Sequence, residues 1–340
     1  MNKFLNISSY KFVPLPDAEE LRILLLELCL SRELKGTILL ASEGINLFLA
    51  GPAEAVRGFV SELHTDPRFS DIKPKESWSD EPPFKKMLVK VKGEIIRMNH
   101  PTIRPAEGRA PAVTPATAKR WLDQGYDDNG RPVVILDTRN DYEVDEGTFK
   151  GAIDWRLNKF TEFPDAVAAH KAELADKTVV SFCTGGIRCE KSTAYLKSQG
   201  YAEVYHLDGG ILKYLETVPK AESLWQGACF VFDERVAVDH NLQPAGYTQC
   251  HACRRPLTDA DLTLASYTQG LSCRYCIGQL TPDQQARFAE REKQVQLAKA
   301  RGDAHIGDAA RKDQEKRKAR KVARKHAQSA PPGAQNDLPE

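Results

Sequence analysis

The sequence predicts an α/β protein of several domains, and three observations predict it. Over residues 4–98 the apolar runs and amphipathic segments read strand, helix, strand, strand, helix, strand. Through residues 129–225 short, fully apolar strands alternate with helices, the pattern of a parallel sheet covered on both faces. Beyond Gly227, two Cys-x₂-Cys pairs mark a small unit organised by a metal ion. The 340 residues have room for two or three cores, and 28% charged with 41% hydrophobic residues is ordinary for a soluble globular chain.

In chain order, Asn6–Val13 is the first expected strand, ended by Pro14 and Pro16. A helix follows from Asp17, with Leu21, Leu24, Leu25 and Leu28 as its apolar face. Gly36–Leu40 and Ile45–Ala50 are strands around the turn Ser42-Glu43-Gly44, and Pro52–Leu63 is a second amphipathic helix. Met87–Val91 is expected as the last strand, with Ile95-Ile96 continuing it, which completes the ferredoxin-like βαββαβ order. Lys73, Lys75, Lys85, Lys86, Lys90 and Lys92 would give this unit a basic face. Residues 99–115, rich in proline, read as a linker, and Thr114 caps a helix through Trp121-Leu122.

The next unit begins with the buried strand Val133–Leu136, ending in Asp137-Thr138-Arg139, and continues with a short strand Gly151–Ile153 and a helix Pro164–Leu174. Val179–Phe182 is a central strand that delivers Cys183 to the sheet's carboxyl edge. Thr184-Gly185-Gly186-Ile187 form a tight turn, and Arg188-Cys189-Glu190-Lys191 open a helix that closes at Gly200. Adjacent glycines let backbone N–H groups point inward, and a helix N-terminus adds partial positive charge. A cysteine in such a bowl ionises easily, so Cys183 is the expected nucleophile, reachable by reagents and braced by Arg188. The loop has four residues between Cys183 and Arg188, one fewer than phosphate-wrapping cysteine loops, so it suits one extra sulfur or another small group. Tyr201–Leu207 is a further strand ending in Asp208-Gly209-Gly210, and Asp137, Arg139 and Asp208 read as charges bracing the loops.

Phe230–Asp233 and Val236–Val238 form an expected hairpin before Cys250-x₂-Cys253 and Cys273-x₂-Cys276. Four thiolates at this spacing close a tetrahedral shell, so the expected ion is a structural zinc. His251 is a conceivable substitute ligand, and a pair of redox Cys-x-x-Cys motifs is the competing reading. Thr281-Pro282-Asp283 starts a helix that runs from Gln284 to Ala300. Arg311–His326 carries nine Lys/Arg against two Asp/Glu, leaving the rest of a chain of net charge +1 mildly acidic. That asymmetry suits a tail contacting a polyanion backbone. The final residues, 330–340, are expected to be disordered. Leu21–Leu30, interrupted by Arg22 and Glu27, falls short of the about 20 apolar residues that cross a bilayer. With no export signal expected and eight cysteines expected reduced, the compartment is the cytoplasm.

Cys183-Thr184-Gly185-Gly186-Ile187-Arg188 resembles the active loop of rhodanese domains, whose cysteine carries a persulfide. Together with Gly36–Asn46, Asp137–Glu143, Phe230–Val236 and the cysteine pairs, it resembles the bacterial tRNA uridine 34 hydroxylases over residues 4–280. Thr138 stands where relatives commonly carry valine. The resemblance implies a ferredoxin-like, acylphosphatase-like domain at 1–98, a linker and helix at 99–128, and a rhodanese domain at 129–225. A four-cysteine zinc-binding unit at 226–280 and a helix with a basic, partly disordered tail at 281–340 complete the expected division. It implies a tRNA-modifying oxidoreductase that installs 5-hydroxyuridine at the wobble position with molecular oxygen as co-substrate. Cys183, as thiolate or persulfide, would be the essential residue and Cys189 a nearby thiol able to resolve it. The expected partner is tRNA through its anticodon loop, with no membrane and no stable protein partner. No flavin or nicotinamide fingerprint is recognised. A sulfurtransferase passing persulfide sulfur to an acceptor, or a non-catalytic zinc and RNA adaptor, are the alternatives.

Overall fold

The computed structural model describes residues 3–301. The basic segment Arg311–His326 and the terminal residues 330–340 therefore lie outside the described residues. The chain divides between residues 279 and 280 into a large α/β unit and a second unit.

The large unit opens with β1 (Phe4–Phe12), α1 (Ala18–Ser31), β2 (Lys35–Ala41), β3 (Gly44–Gly51), α2 (Ala53–Leu63), β4 (Lys75–Ser79) and β5 (Met87–Val91). The sheet order is β4-β1-β3-β2-β5, antiparallel except for the β2–β5 pair. The first four strands are the ferredoxin-like set, but its fourth member is Lys75–Ser79 rather than Met87–Val91. Met87–Val91 is a fifth strand added on the β2 edge, and Ile95-Ile96 form no strand. The sequence of β4, Lys-Glu-Ser-Trp-Ser, is too polar to announce itself; it forms because an edge strand needs only one ladder of partners. On α1 the buried residues are Ala18, Leu21, Leu25 and Cys29, while Leu24 is 62% exposed. The buried face is thus rotated from the expected one, because leucines line both sides of this helix and the pattern alone does not choose.

The second sheet has the order β6-β10-β9-β7, all parallel. Its strands are β6 (Ala112–Val113), β7 (Val133–Asp137), β9 (Thr178–Phe182) and β10 (Val204–Leu207), so the proline-rich linker ends in an edge strand. Between β6 and β7 runs α3 (Pro115–Gln124), where the Thr114 side chain accepts from the Thr117 amide and Gly125 closes the helix at φ +83°. After β7 come α4 (Asp141–Val144) and β8 (Gly147–Phe149). Gly151–Ile153 is not a strand: Ile153 makes a single parallel bridge to Leu136, and β8 lies outside this sheet, paired antiparallel with Trp225–Gly227. The expected helix Pro164–Leu174 is two, α5 (Phe163–Ala169) and α6 (Lys171–Leu174), interrupted at His170. α7 (Ile187–Ser198) follows β9, and α8 (Gly210–Thr217) follows β10. Two apolar clusters pack the opposite faces of this sheet, one around Val180, Phe182 and Tyr214, the other around Leu136, Val179 and Leu196.

β11 (Trp225–Gly227) pairs with β8, and β12 (Cys229–Phe230) pairs with β13 (Ala237–Val238) as the expected hairpin. β14 (Thr248–Gln249), β15 (Pro256–Leu257) and α9 (Asp259–Leu262) frame the cysteine pairs. In the second unit, α10 (Pro282–Ala300) starts at Thr281, whose side chain and that of Gln284 form a reciprocal capping box. Among the described residues no helix is long and apolar enough to cross a membrane.

Candidate active site and metal centre

Every residue of β9 is buried, and the strand ends at Cys183, which is 1% exposed. The chain then reverses through Gly186 at φ +103°, a conformation that side-chain-bearing residues avoid. This turn aims the Gly186 N–H at the Cys183 Sγ, 3.1 Å away. Burial alone raises the Cys183 thiol, but the Cys189 thiol, the Arg188 charge and the amides of Cys189 and Gly186 outweigh it. The net effect holds Cys183 well below the ordinary thiol range. Burial and the adjacent Cys183 push Cys189 the other way, so the pair shares one proton, kept on Cys189. The Thr138 hydroxyl donates to the Phe182 carbonyl at 2.8 Å and lies 3.8 Å from the Cys189 sulfur, a contact valine would not make.

The Asp208-Gly209-Gly210 turn seats the loop from below. The amides of Ile211 and Leu212 donate to the carbonyls of Cys183 and Thr184, at 3.0 and 3.1 Å. A Cβ on Gly210 would collide with the Cys183 carbonyl oxygen, so only glycine permits this approach.

The loop arginine does not reach the sulfur as a free cation. Both Arg188 terminal nitrogens donate to Glu143, at 2.6 and 2.7 Å, and Glu143 is fully buried. Arg139 is likewise held by Asp137, with Thr148 adding a bond to the same carboxylate. Asp137, Arg139 and Glu143 therefore brace the loops, and Asp208 is paired with Lys213.

Two other regions cover the loop. Thr184 Oγ1 lies 3.4 Å from the Phe230 carbonyl of β12, and the Phe230 ring packs edge-on against Tyr142. From the N-terminal sheet, Tyr10 on β1 sets its hydroxyl over Gly186 and donates to Glu190 Oε1 at 3.0 Å, while Arg109 approaches the same oxygen at 3.4 Å. Lys75 on β4 donates to the Gly185 carbonyl at 2.5 Å. Lys191 of α7, 2% exposed, binds Glu43 at 2.8 Å and Glu94 at 2.6 Å. Cys183 is thus closed over, contrary to the expectation of a thiol open to reagents. The reason is tertiary: its lids come from β1 and β4, and their contacts span 180 residues for Tyr10–Glu190 and 110 for Lys75–Gly185. Beside the lid lies an open cavity of about 1190 Å³, lined in part by Lys11, Lys73, Lys75, Arg109, Glu190 and Lys213.

Sequence reasoning did not find Tyr10, Lys75, Arg109 or Glu143 as site neighbours. Glu143 stood in a noted motif and Lys75 in a noted lysine run, but neither carried a sign of its partner.

The sulfurs of Cys250, Cys253, Cys273 and Cys276 all lie within 4.8 Å of one another. Individual separations are 4.0 Å for Cys250–Cys276, 3.6 Å for Cys253–Cys273 and 3.7 Å for Cys273–Cys276. A tetrahedral ion with Zn–S bonds of about 2.3 Å needs sulfurs roughly 3.8 Å apart, so this donor set fits a metal ion such as zinc. His251 is exposed and is not part of the cluster.

Residues 4–95 match the UPF0176 acylphosphatase like domain, and residues 115–217 match the Rhodanese-like domain. A protein named tRNA uridine(34) hydroxylase from Delftia acidovorans is 66% identical over 242 residues, covering 71% of this chain and 91% of that protein. A namesake from Cupriavidus taiwanensis is 59% identical over 276 residues, covering 81% and 97%. One from Acaryochloris marina is 50% identical over 308 residues, covering 90% and 97%.

Proposed function

This chain belongs to the tRNA uridine(34) hydroxylase family, and from that premise we propose that it hydroxylates the wobble uridine of tRNA with Cys183 as the reacting sulfur. The observation that carries the role of Cys183 is the Gly186 amide aimed at its sulfur from 3.1 Å at the N-terminus of α7, a setting that favours the thiolate. A thiolate adds to C6 of uracil, and the ring carbon C5 then becomes electron-rich enough to meet molecular oxygen. Thr184, Gly185, Gly186, Ile187 and Arg188 shape the loop for that sulfur. The reaction places one oxygen atom on C5 and the other in water, which takes two electrons and two protons. As the C5 hydrogen leaves, the C6–S bond breaks and frees Cys183. Its thiolate and the Cys189 thiol then close to a disulfide, which supplies both electrons and one proton, and solvent supplies the other proton. A persulfide on Cys183 would serve the addition equally.

The base must arrive unstacked, as an anticodon loop presents it. We assign its approach to the cavity beside Tyr10, where lysine and arginine side chains meet a phosphate backbone. Cys250, Cys253, Cys273 and Cys276 would hold zinc as a structural ion, which supplies no chemistry to the uracil and fixes the loops around it. The test is nucleoside mass spectrometry of tRNA from a deletion strain carrying the wild-type chain or Cys183→Ser. Wild type restores 5-hydroxyuridine and the variant does not; equal restoration by the variant refutes the role of Cys183.

A further inference from the structure

The charges around Cys183 do not balance within its own domain. Arg188 is neutralised by Glu143 in a bidentate pair, and Arg139 by Asp137. Asp208 and Lys213 pair with each other, while Glu190 holds Tyr10 and Arg109. A thiolate at Cys183 would be left as net negative charge in a buried site, which is costly without a counter-ion.

One cation near the loop is unspent. Among the described residues Lys75 makes no ion pair, and its ammonium is anchored on the Gly185 carbonyl inside the cysteine loop. Its carbon stem comes from the edge strand β4, which carries it across the boundary between the two sheets. We propose that Lys75 is the counter-ion of the Cys183 thiolate, so that the N-terminal domain completes the active site of the rhodanese domain. Lys75 is then a positioning residue: it holds the charge of the sulfur without reacting. Burial lowers the pKa of its amine, and the opposing attraction comes first from Cys183, ahead of Asp208. The groups facing this pair are Tyr10 from β1, Glu143 from α4, Arg188, Cys189 and Glu190 from α7, Asp208 before α8, Lys213 on it, and Arg109. The proposal rests on the reading of Cys183 as a reactive thiolate.

The experiment is a pH titration of thiolate absorbance, taken as the difference between the full zinc-loaded chain and its Cys183→Ser variant. The wild-type midpoint falls below the free-thiol value of about 8.5, and Lys75→Met raises it by about one unit, a tenfold loss of ionisation. Lys75→Arg keeps the cation and stays near wild type. A folded Lys75→Met with the wild-type midpoint overturns the proposal, as does Lys75→Arg shifting as far as Lys75→Met. If Lys75→Met does not fold, the reciprocal measurement decides, since linkage between two sites is mutual. In Cys183→Ser the Lys75 amine, freed of its anion, reacts roughly tenfold faster with acetic anhydride by peptide mass spectrometry. Unchanged reactivity overturns the proposal. Both titrations run without tRNA: a normal midpoint shift with no Cys183-dependent 5-hydroxyuridine would refute the proposed function alone.

Discussion

The buried Arg188–Glu143 pair ties the end of the cysteine loop to α4. Breaking a buried ion pair from one side leaves an uncompensated charge and costs about 3–5 kcal/mol. Glu143→Gln should lose that much stability in urea unfolding. It should also lower the Cys183 midpoint further, because Arg188 then faces the thiolate unopposed. A drop in stability with a raised midpoint would contradict the arrangement. The sign with pH follows from the same pair. Burial raises the Glu143 carboxyl, but Arg188 outweighs it and holds it below the usual range. Its contribution is therefore present above the unfolded carboxyl value of about 4.3 and is lost as pH falls through the lower folded value. At this scale the cysteine loop with its glycines and the clustering of the four later cysteines were legible in the sequence, because each needs a residue type that few others can replace. Glu143 and Lys75 were not, since any acidic or basic side chain looks the same until its partner is known.

Elements differ in how openly they declare themselves. β9 is apolar almost throughout and flanked by the cysteine turn, so its place was plain. β4 is polar, short and at an edge, and its role is seen only from what it carries to Gly185. The four-cysteine unit is an element with a small core: its buried members are Leu257 and three of the cysteines, with Leu262, Tyr267 and Tyr275 packed against them. Pure protein should contain one zinc per chain, and stripping it with a chelator should melt this region while the α/β sheets persist by circular dichroism. Metal analysis that finds no zinc would remove the assignment. Cys250→Ser should behave as the stripped protein does.

At the scale of the whole molecule, the two sheets meet around α7. Lys191 ties that helix to Glu43 and Glu94 of the N-terminal domain, and Tyr10 and Lys75 from the same domain lie over the loop. Lys191→Met should destabilise the protein by about 3 kcal/mol, the low end for a buried pair because both glutamates keep partial contact with water. It should also speed iodoacetamide labelling of Cys183 several-fold as the cover loosens. Labelling at the wild-type rate, with the stability loss present, would mean that the cover opens by another route.

The domain types, the cysteine loop and the four-cysteine cluster could be read from the amino-acid order alone. Those depend on local periodicity and on residues with chemistry of their own, which the chain carries wherever it folds. Packing in three dimensions was needed to show that Cys183 is closed over, that Arg188 is spent on Glu143, and that a lysine from another domain stands beside the loop. These pairings reach across 45 residues for Arg188–Glu143 and 148 for Lys191–Glu43. They are set by how the sheets pack, and a charge in a sequence does not name the charge it will meet.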